Sequence, residues 1–293
     1  VAFRMTTDSE PELTKQTAFH GMTSVKTRNF GEYKGYWLAN SFTNYGAIEE
    51  YWACREGVAV ADLSPLRKYE VCGPDAEILL QTCVTRDIKR LSDGQVVYTA
   101  MCYDTGGMID DGTVYRFGPE NFRWIGGVDI GGIWFREQAK KRRLQVWIKR
   151  STDQICNLQV QGPKSRFLLG EILATLDDQT SVDQLGWFRF TTVKLAGVDN
   201  VPLLISRTGY TGELGFEVFC HPSHASQLWD ALWKSGQAYG IRPLGLDALD
   251  MLRVEAGLVF AEAEFCDQTD PFEAGIGFTV PLATKKDDFI GKQ

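Results

Sequence analysis

The chain has 293 residues, 44% of them hydrophobic and 24% charged, with a formal net charge of −7. That is a globular composition with material for about two domains, and the acidic balance argues against nucleic acid as a partner. No apolar run reaches the roughly 18 residues of a membrane span, and the polar, acidic start has no basic-then-apolar leader pattern, so no membrane partner is expected.

Seven cysteines stand singly at 54, 72, 83, 102, 156, 220 and 266, with no CxxC pair. That pattern fits reduced thiols and a cytoplasmic location, and disfavours a zinc ribbon or redox dithiol. His20, His221 and His224 form no HExxH face, so no metal site is expected. No GxxxxGK[ST], no GxSxG and no GxGxxG after a strand occur, which leaves phosphate-loop, serine-hydrolase and dinucleotide chemistry without support.

In chain order, AIEEYWACREG predicts a helix over 47–57, ending at Gly57. A strand, a Gly-Pro turn and a helix then appear twice, in KYEVCGPDAEILLQTC (68–83) and NLQVQGPKSRFLLGEIL (157–173). Proline is tolerated where a helix begins, because its missing N–H would be unpaired anyway. The repetition implies two related halves. Between the two units lie strands at 96–103, 108–117 and 122–130, joined by DTGG and GPEN turns, and a helix at 131–142. The basic run AKKRRLQVWIKR (139–150) reads as a solvated helix end entering a strand, or as a landing place for an anionic ligand tail. The second half continues with GWFRFTTVKL (186–195), a hairpin in PLLISRTGYTGELGFEVFC (202–220), and helices over 224–240 and 243–258. The fold class is α+β with mainly antiparallel sheets.

GGMIDDG (106–112) places two aspartates side by side in the strand at 108–117. Side chains alternate faces along a strand. Met108, Asp110, Gly112, Val114 and Arg116 therefore share one face, and Ile109, Asp111, Thr113, Tyr115 and Phe117 the other. Asp110 falls with Arg116 in a solvated or capped position. Asp111 falls on the more apolar face. The alternative is a turn that leaves both carboxylates in water. A carboxylate about 4 Å from a cation gains roughly 1 kcal/mol in water and about 4 kcal/mol at an effective dielectric of 20. With an ordinary pKa, only about one aspartate in a thousand is protonated at pH 7. Asp111 is thus expected to be ionised and to stabilise positive charge.

SRTGYTGELGFEVF (206–219) also alternates, with Leu214, Phe216 and Val218 on one face and Glu213, Gly215 and Glu217 on the other. Glu217 is an unfavoured residue inside a strand. Its carboxylate suits two parallel N–H groups of a 2-amino-pyrimidinone edge, or else a surface ion pair. Gly209, Gly212 and Gly215 would let a flat ligand approach the backbone closely. Asp250 and Arg253 stand at i, i+3 and can pair.

Together, GGMIDDG, SRTGYTGELGFE, GLDALDMLRVEAGL, DPFEAGIGFTV and DDFIGKQ resemble the glycine cleavage system T-protein (aminomethyltransferase) family and its tetrahydrofolate-dependent demethylase relatives, over about 35–293. The resemblance implies a multidomain cloverleaf of α+β domains around a central folate pocket. A first folate-binding domain is expected from 18–66 plus 153–242, and a second from 67–152 plus 243–285. The family's C-terminal barrel is missing from, or truncated after, residue 293. Tetrahydrofolate is the implied cofactor, Asp111 the implied catalytic residue, and Tyr98, Tyr115, Tyr210 and Glu217 the implied folate-binding residues.

The chain departs from the T-protein pattern at three places. DLSPL (62–66) stands where DVSHM is usual, Leu249 where arginine precedes the aspartate, and Gly127 where an asparagine is usual. These changes favour a demethylase-type paralogue acting on a small methylated substrate over an aminomethyltransferase using a lipoyl carrier protein. A non-catalytic folate-binding protein and a folate-binding partner of a flavoprotein are the further alternatives.

Overall fold

The computed structural model describes residues 14–198 and 201–293. The chain opens with β1 (Lys15–Gln16), α1 (His20–Thr23), β2 (Phe30–Tyr33) and β3 (Tyr36–Ala39). β1 and β2 flank β3, giving a small three-stranded sheet. The β2–β3 turn is Lys34-Gly35, with φ of 53° and 84°. Positive φ at both central residues matches the twist of a two-residue hairpin.

α2 (Gly46–Glu56) and β4 (Val58–Asp62) follow. The two strand–Gly-Pro–helix units are β5 (Arg67–Cys72) with α3 (Ala76–Cys83), and β10 (Cys156–Gln161) with α5 (Ser165–Ile172). Gly73 and Gly162 take nearly the same left-handed φ, 127° and 119°. Each proline lies two residues before its helix. Between the units run β6 (Gln95–Cys102), β7 (Met108–Gly118), β8 (Asn121–Gly126), α4 (Ile130–Arg142) and β9 (Trp147–Arg150). After α5 come β11 (Leu173–Thr175), β12 (Phe190–Leu195), β13 (Pro202–Ser206), β14 (Gly215–Cys220), α6 (Ala225–Gly236), β15 (Ile241–Pro243) and α7 (Leu246–Glu255).

Two larger sheets carry the architecture. A five-stranded sheet runs β6-β7-β8-β5-β9, and a seven-stranded sheet runs β11-β12-β13-β14-β10-β4-β15. Within these two, all pairs are antiparallel except β15 with β4. Each sheet buries one face under helices. Val71, Val114, Phe122 and Trp124 meet Leu79, Leu80 and Phe135 from α3 and α4. Val60, Leu158, Val160, Phe216 and Val218 meet Leu168 and Leu169 of α5 and Leu228 and Leu232 of α6. Alternation leaves the opposite faces free, and these face one another. α2 and α7 cover Ala59 and Ala61 beside them.

The pairing of β7 is regular only from Asp110 to Arg116. Ala100 pairs with Asp111 and Met101 with Asp110, but Cys102 pairs with Met108, so Ile109 is a bulge. The extra residue reverses Met108, which packs with Ala100, Cys102 and Phe265. The basic run at 139–150 is largely solvent-exposed.

Candidate active site

The inner faces of the two large sheets enclose a cavity of about 1550 Å³. Ligand pockets commonly measure about 300–1,000 Å³, so this one has room for a large ligand and a second small molecule. From the five-stranded sheet Tyr98, Asp111 and Thr113 line it; from the seven-stranded sheet, Gln159 and Glu217. α7 and the loop beyond it close the remaining side with Leu249, Asp250, Arg253 and Phe260.

Asp111 projects into this space. The Tyr98 hydroxyl donates to its Oδ2 at 2.7 Å. Tyr98 sits diagonally across the β6–β7 pair, opposite Thr113, a separation that a long aromatic side chain spans. Burial pushes the Asp111 carboxyl up to about 6, and the Tyr98 hydrogen bond and nearby Lys34 only partly offset it. The sequence expectation of an ordinary aspartate pKa is therefore corrected: the group ionises close to neutrality.

Asp110 differs from its expectation more strongly. It is 0% exposed. Its Oδ1 accepts from the Asp111 and Gly127 amides at 3.0 and 3.1 Å, and its Oδ2 from Gly127 and Val128 at 3.0 and 3.2 Å. Arg116 does not reach it, pairing instead with Glu77 and Asp93. The reason is local: Gly126 and Gly127 let the end of β8 close on β7, and a Cβ at Gly126 would collide with the Asp110 carboxyl. Burial and the neighbouring Asp111 raise Asp110, while the two amides and Lys34 pull it back.

Lys34 is a cavity residue that the sequence reading missed. The hairpin carries its ammonium over the rings of Tyr33 and Phe260, at 5.2 and 5.3 Å. Arg67 anchors the turn by donating to the Lys34 carbonyl at 2.8 Å. A Cβ at Gly127 would stand 3.2 Å from Lys34 Nζ and 3.1 Å from Asp110 Oδ1. The missing side chain at 127 is thus the space the cation uses. Burial pulls the Lys34 ammonium below the ordinary lysine value, and both aspartates push it back. The Lys-Gly dipeptide between two aromatic-rich strands was the available signal.

The expected Asp250–Arg253 pair forms, with Nε donating at 2.7 Å. Arg253 also holds Glu264 at 2.6 Å and the Leu258 carbonyl at 3.2 Å. These contacts pin the loop that presents Phe260. Tyr210 lines the cavity and donates its hydroxyl to the Val259 carbonyl.

On the facing wall Glu217 is 8% exposed. Asn157 Nδ2 donates to its Oε1 at 2.9 Å, and the Thr208 hydroxyl donates to its Oε2. Lys68 lies fully buried nearby, donating to the Ser64 and Leu66 carbonyls at 3.1 and 3.0 Å. Burial pulls Lys68 down to about 8, and Glu217 is the leading group that opposes this. Lys68 is another residue the sequence reading passed over.

One expectation is corrected here. Tyr115 is not on the cavity surface: it is 0% exposed among Val96, Ile125 and Phe219. Its hydroxyl meets Ser206 Oγ at 3.0 Å, and Ser206 Oγ meets Thr208 Oγ1 at 2.7 Å. It therefore stands behind Glu217. Gly209, Gly212 and Gly215 of the RTGYTGELG turn all line the cavity, and a Cβ at Gly209 or Gly215 would also strike the Gln161 side chain.

A family model described as the GCVT N-terminal domain matches residues 19–284, and the chain belongs to that family. Its fold is accordingly an α+β arrangement of several sheets. A trimethylamine-oxide aldolase of Ruegeria pomeroyi is 58% identical over 293 residues, 100% of this chain. The chain spans only 37% of that relative's length. An aminomethyltransferase of Halothermothrix orenii is 36% identical, covering 89% of this chain and 70% of its own. The crystal structure of the glycine cleavage system aminomethyltransferase T of Bartonella henselae superposes with a TM-score of 0.82 at 23% identity, over 95% of this chain and 73% of its own. That likeness concerns the fold. No helix among the described residues is long and apolar enough to cross a membrane.

Proposed function

We propose that the cavity binds a reduced folate and that the chain serves a one-carbon transfer from a small methylated donor, as a demethylase-type member of the family. The observation that carries this reading is the opposition of Asp111 and Glu217 on two walls of one large cavity. The residues fit the cofactor. Both Glu217 oxygens are steadied from behind by Asn157 and Thr208, which leaves lone pairs for two parallel N–H groups of a pterin edge. Tyr98 and Tyr210 supply aromatic surface on the way to Asp111. Tyr115 supports the site through Ser206 and Thr208 and does not itself touch the ligand.

When bound, tetrahydrofolate supplies the amine nitrogen that takes up the carbon. The chain supplies placement and charge. Ionised Asp111 stabilises positive charge that develops beside it and accepts a proton, a role suited to a carboxyl that titrates near neutrality. The aldolase relative is named for an amine oxide, which lies within the proposed donor class. A lipoyl carrier protein or a flavoprotein is the alternative source of the carbon. We also assign the folate-binding half to 18–66 plus 153–242, its counterpart to 67–152 plus 243–285, and the location to the cytoplasm.

The test is a calorimetric titration and thermal melt of the chain with tetrahydrofolate. A ligand at 100 times its dissociation constant adds about 2.7 kcal/mol of stability. An unchanged melting temperature and no binding heat with any reduced folate would remove the cofactor assignment.

A further inference from the structure

Lys34, Arg86, Arg207 and Arg253 border the cavity. Lys34 answers the two aspartates, and Arg253 is paired with Asp250 and Glu264. Arg207 turns its Nη1 to the Leu185 carbonyl at 3.4 Å. Arg86 has no acidic partner among the described residues. Burial alone acts on its guanidinium, pulling it below the ordinary arginine value, and no carboxylate opposes this. Its Nη1 donates to the Phe278 carbonyl at 3.0 Å. Its Nε is closed off inside the wall, whereas Nη2 is neither sealed nor hydrogen-bonded among the described residues. The guanidinium therefore offers its outer edge.

The residue is fixed from behind. Lys285, 1% exposed, donates to the carbonyls of Gln81, Val84 and Arg86 at 2.7, 2.8 and 3.0 Å. The Arg86 amide donates to Thr99 Oγ1 of β6 at 3.0 Å. Contacts lead to it from the reactive acid. The Tyr98 hydroxyl holds Asp111, the Tyr98 ring lies 6.2 Å from the Phe278 ring, and the Phe278 carbonyl holds Arg86. Phe278 borders the cavity yet is 65% exposed, which marks this end as the open one. A half-buried cation without a counter-charge is destabilising until an anion arrives. The planar fork of a guanidinium matches the two oxygens of a carboxylate.

We propose that Arg86 receives a carboxylate of the folate's p-aminobenzoyl-glutamate tail, with the benzoyl ring lying against Tyr98 and Phe278. This rests on the folate reading. The ligand then runs along the cavity with its own polarity matched. Its N–H-rich ring edge meets Glu217, its reactive segment passes Asp111, and its anionic end meets the unopposed cation at the mouth. A reduced pterin without a tail would satisfy Glu217 and leave Arg86 without an anion.

The experiment measures affinity by calorimetry for tetrahydrofolate and for 6-methyltetrahydropterin, which keeps the reduced ring and lacks the tail. Wild type, Arg86→Gln and Arg86→Lys are compared. Wild type is expected to bind tetrahydrofolate more tightly than the bare ring. In Arg86→Gln the tetrahydrofolate affinity falls about fivefold to tenfold, the scale of a partly exposed charge-assisted pair, while affinity for the bare ring is unchanged. Arg86→Lys keeps the charge without the fork and recovers part of the loss. Equal losses for both ligands would overturn the inference, because Arg86 would then only support the wall. An Arg86→Gln chain that binds both ligands as wild type does would also overturn it. Either result leaves the folate reading intact. A wild-type chain that binds neither ligand overturns both.

Discussion

The two walls of the cavity use carboxylates in opposite ways. On β7 the acids are adjacent, face away from each other, and are both raised by burial. On β14 a single carboxylate is held from behind by neutral donors, with a buried lysine near it. A group that must exchange a proton needs its pKa near the working pH, whereas a group that must recognise N–H donors needs a fixed charge and fixed geometry. Under the proposed function, the contrast gives chemistry to one wall and recognition to the other.

Breaking the chemical wall should have the largest effect. Asp111→Asn is expected to lower turnover with a methylated donor by about a hundredfold or more, the scale of general-base and charge-stabilising contributions, with tetrahydrofolate affinity changed little. Equal losses in both would show that the walls are not separate. The same variant sharpens the comparison through stability. The Asp111 carboxyl has a folded-state pKa of about 6, above the ordinary aspartate value of 3.8. Its stabilising contribution is therefore present below about pH 4 and lost as pH rises through 6. Asn should remove that loss, raising the neutral-pH melting temperature relative to wild type and flattening its dependence between pH 4 and 6. A melting profile parallel to wild type would contradict the assigned titration.

Breaking the recognition wall comes next. Glu217→Gln keeps the shape and removes the charge. Tetrahydrofolate affinity is expected to fall by about ten- to a hundredfold, the worth of a charge-assisted pair, with turnover at saturating folate reduced far less. A variant that binds as wild type would take Glu217 out of the ligand site.

The smallest effect belongs to Lys34→Met. Its ammonium favours ionised Asp111. Removing it should move the acid limb of kcat/KM upward by roughly half a pH unit or more. A limb that stays in place would mean that the cation does not act on Asp111.

The wall-against-wall arrangement was partly legible in the sequence. The helices expected over 47–57 and 131–142 appear as Gly46–Glu56 and Ile130–Arg142. Both Gly-Pro units fold as expected, since strand periodicity and a turn glycine are local signals. Asp111 and Glu217 reach the cavity because alternation alone decides their faces. What alternation does not report is depth. Tyr115 shares the face of Asp111 but lies where the sheets touch, so it is sealed. Asp110 is buried because glycines in another strand approach it. Lys34 arrives from a hairpin distant in sequence, and Lys68 comes near Glu217 only once the sheets meet. Those are tertiary facts, set by how the sheets meet.

The hydroxyl chain from Tyr115 through Ser206 and Thr208 to Glu217 crosses from one large sheet to the other. It acts as a tie-rod. Tyr115 and Asp111 ride on the same strand, so the chain links Glu217 to the segment that bears Asp111. The gap between the walls is gauged by hydrogen-bond length, a tighter tolerance than apolar contact allows.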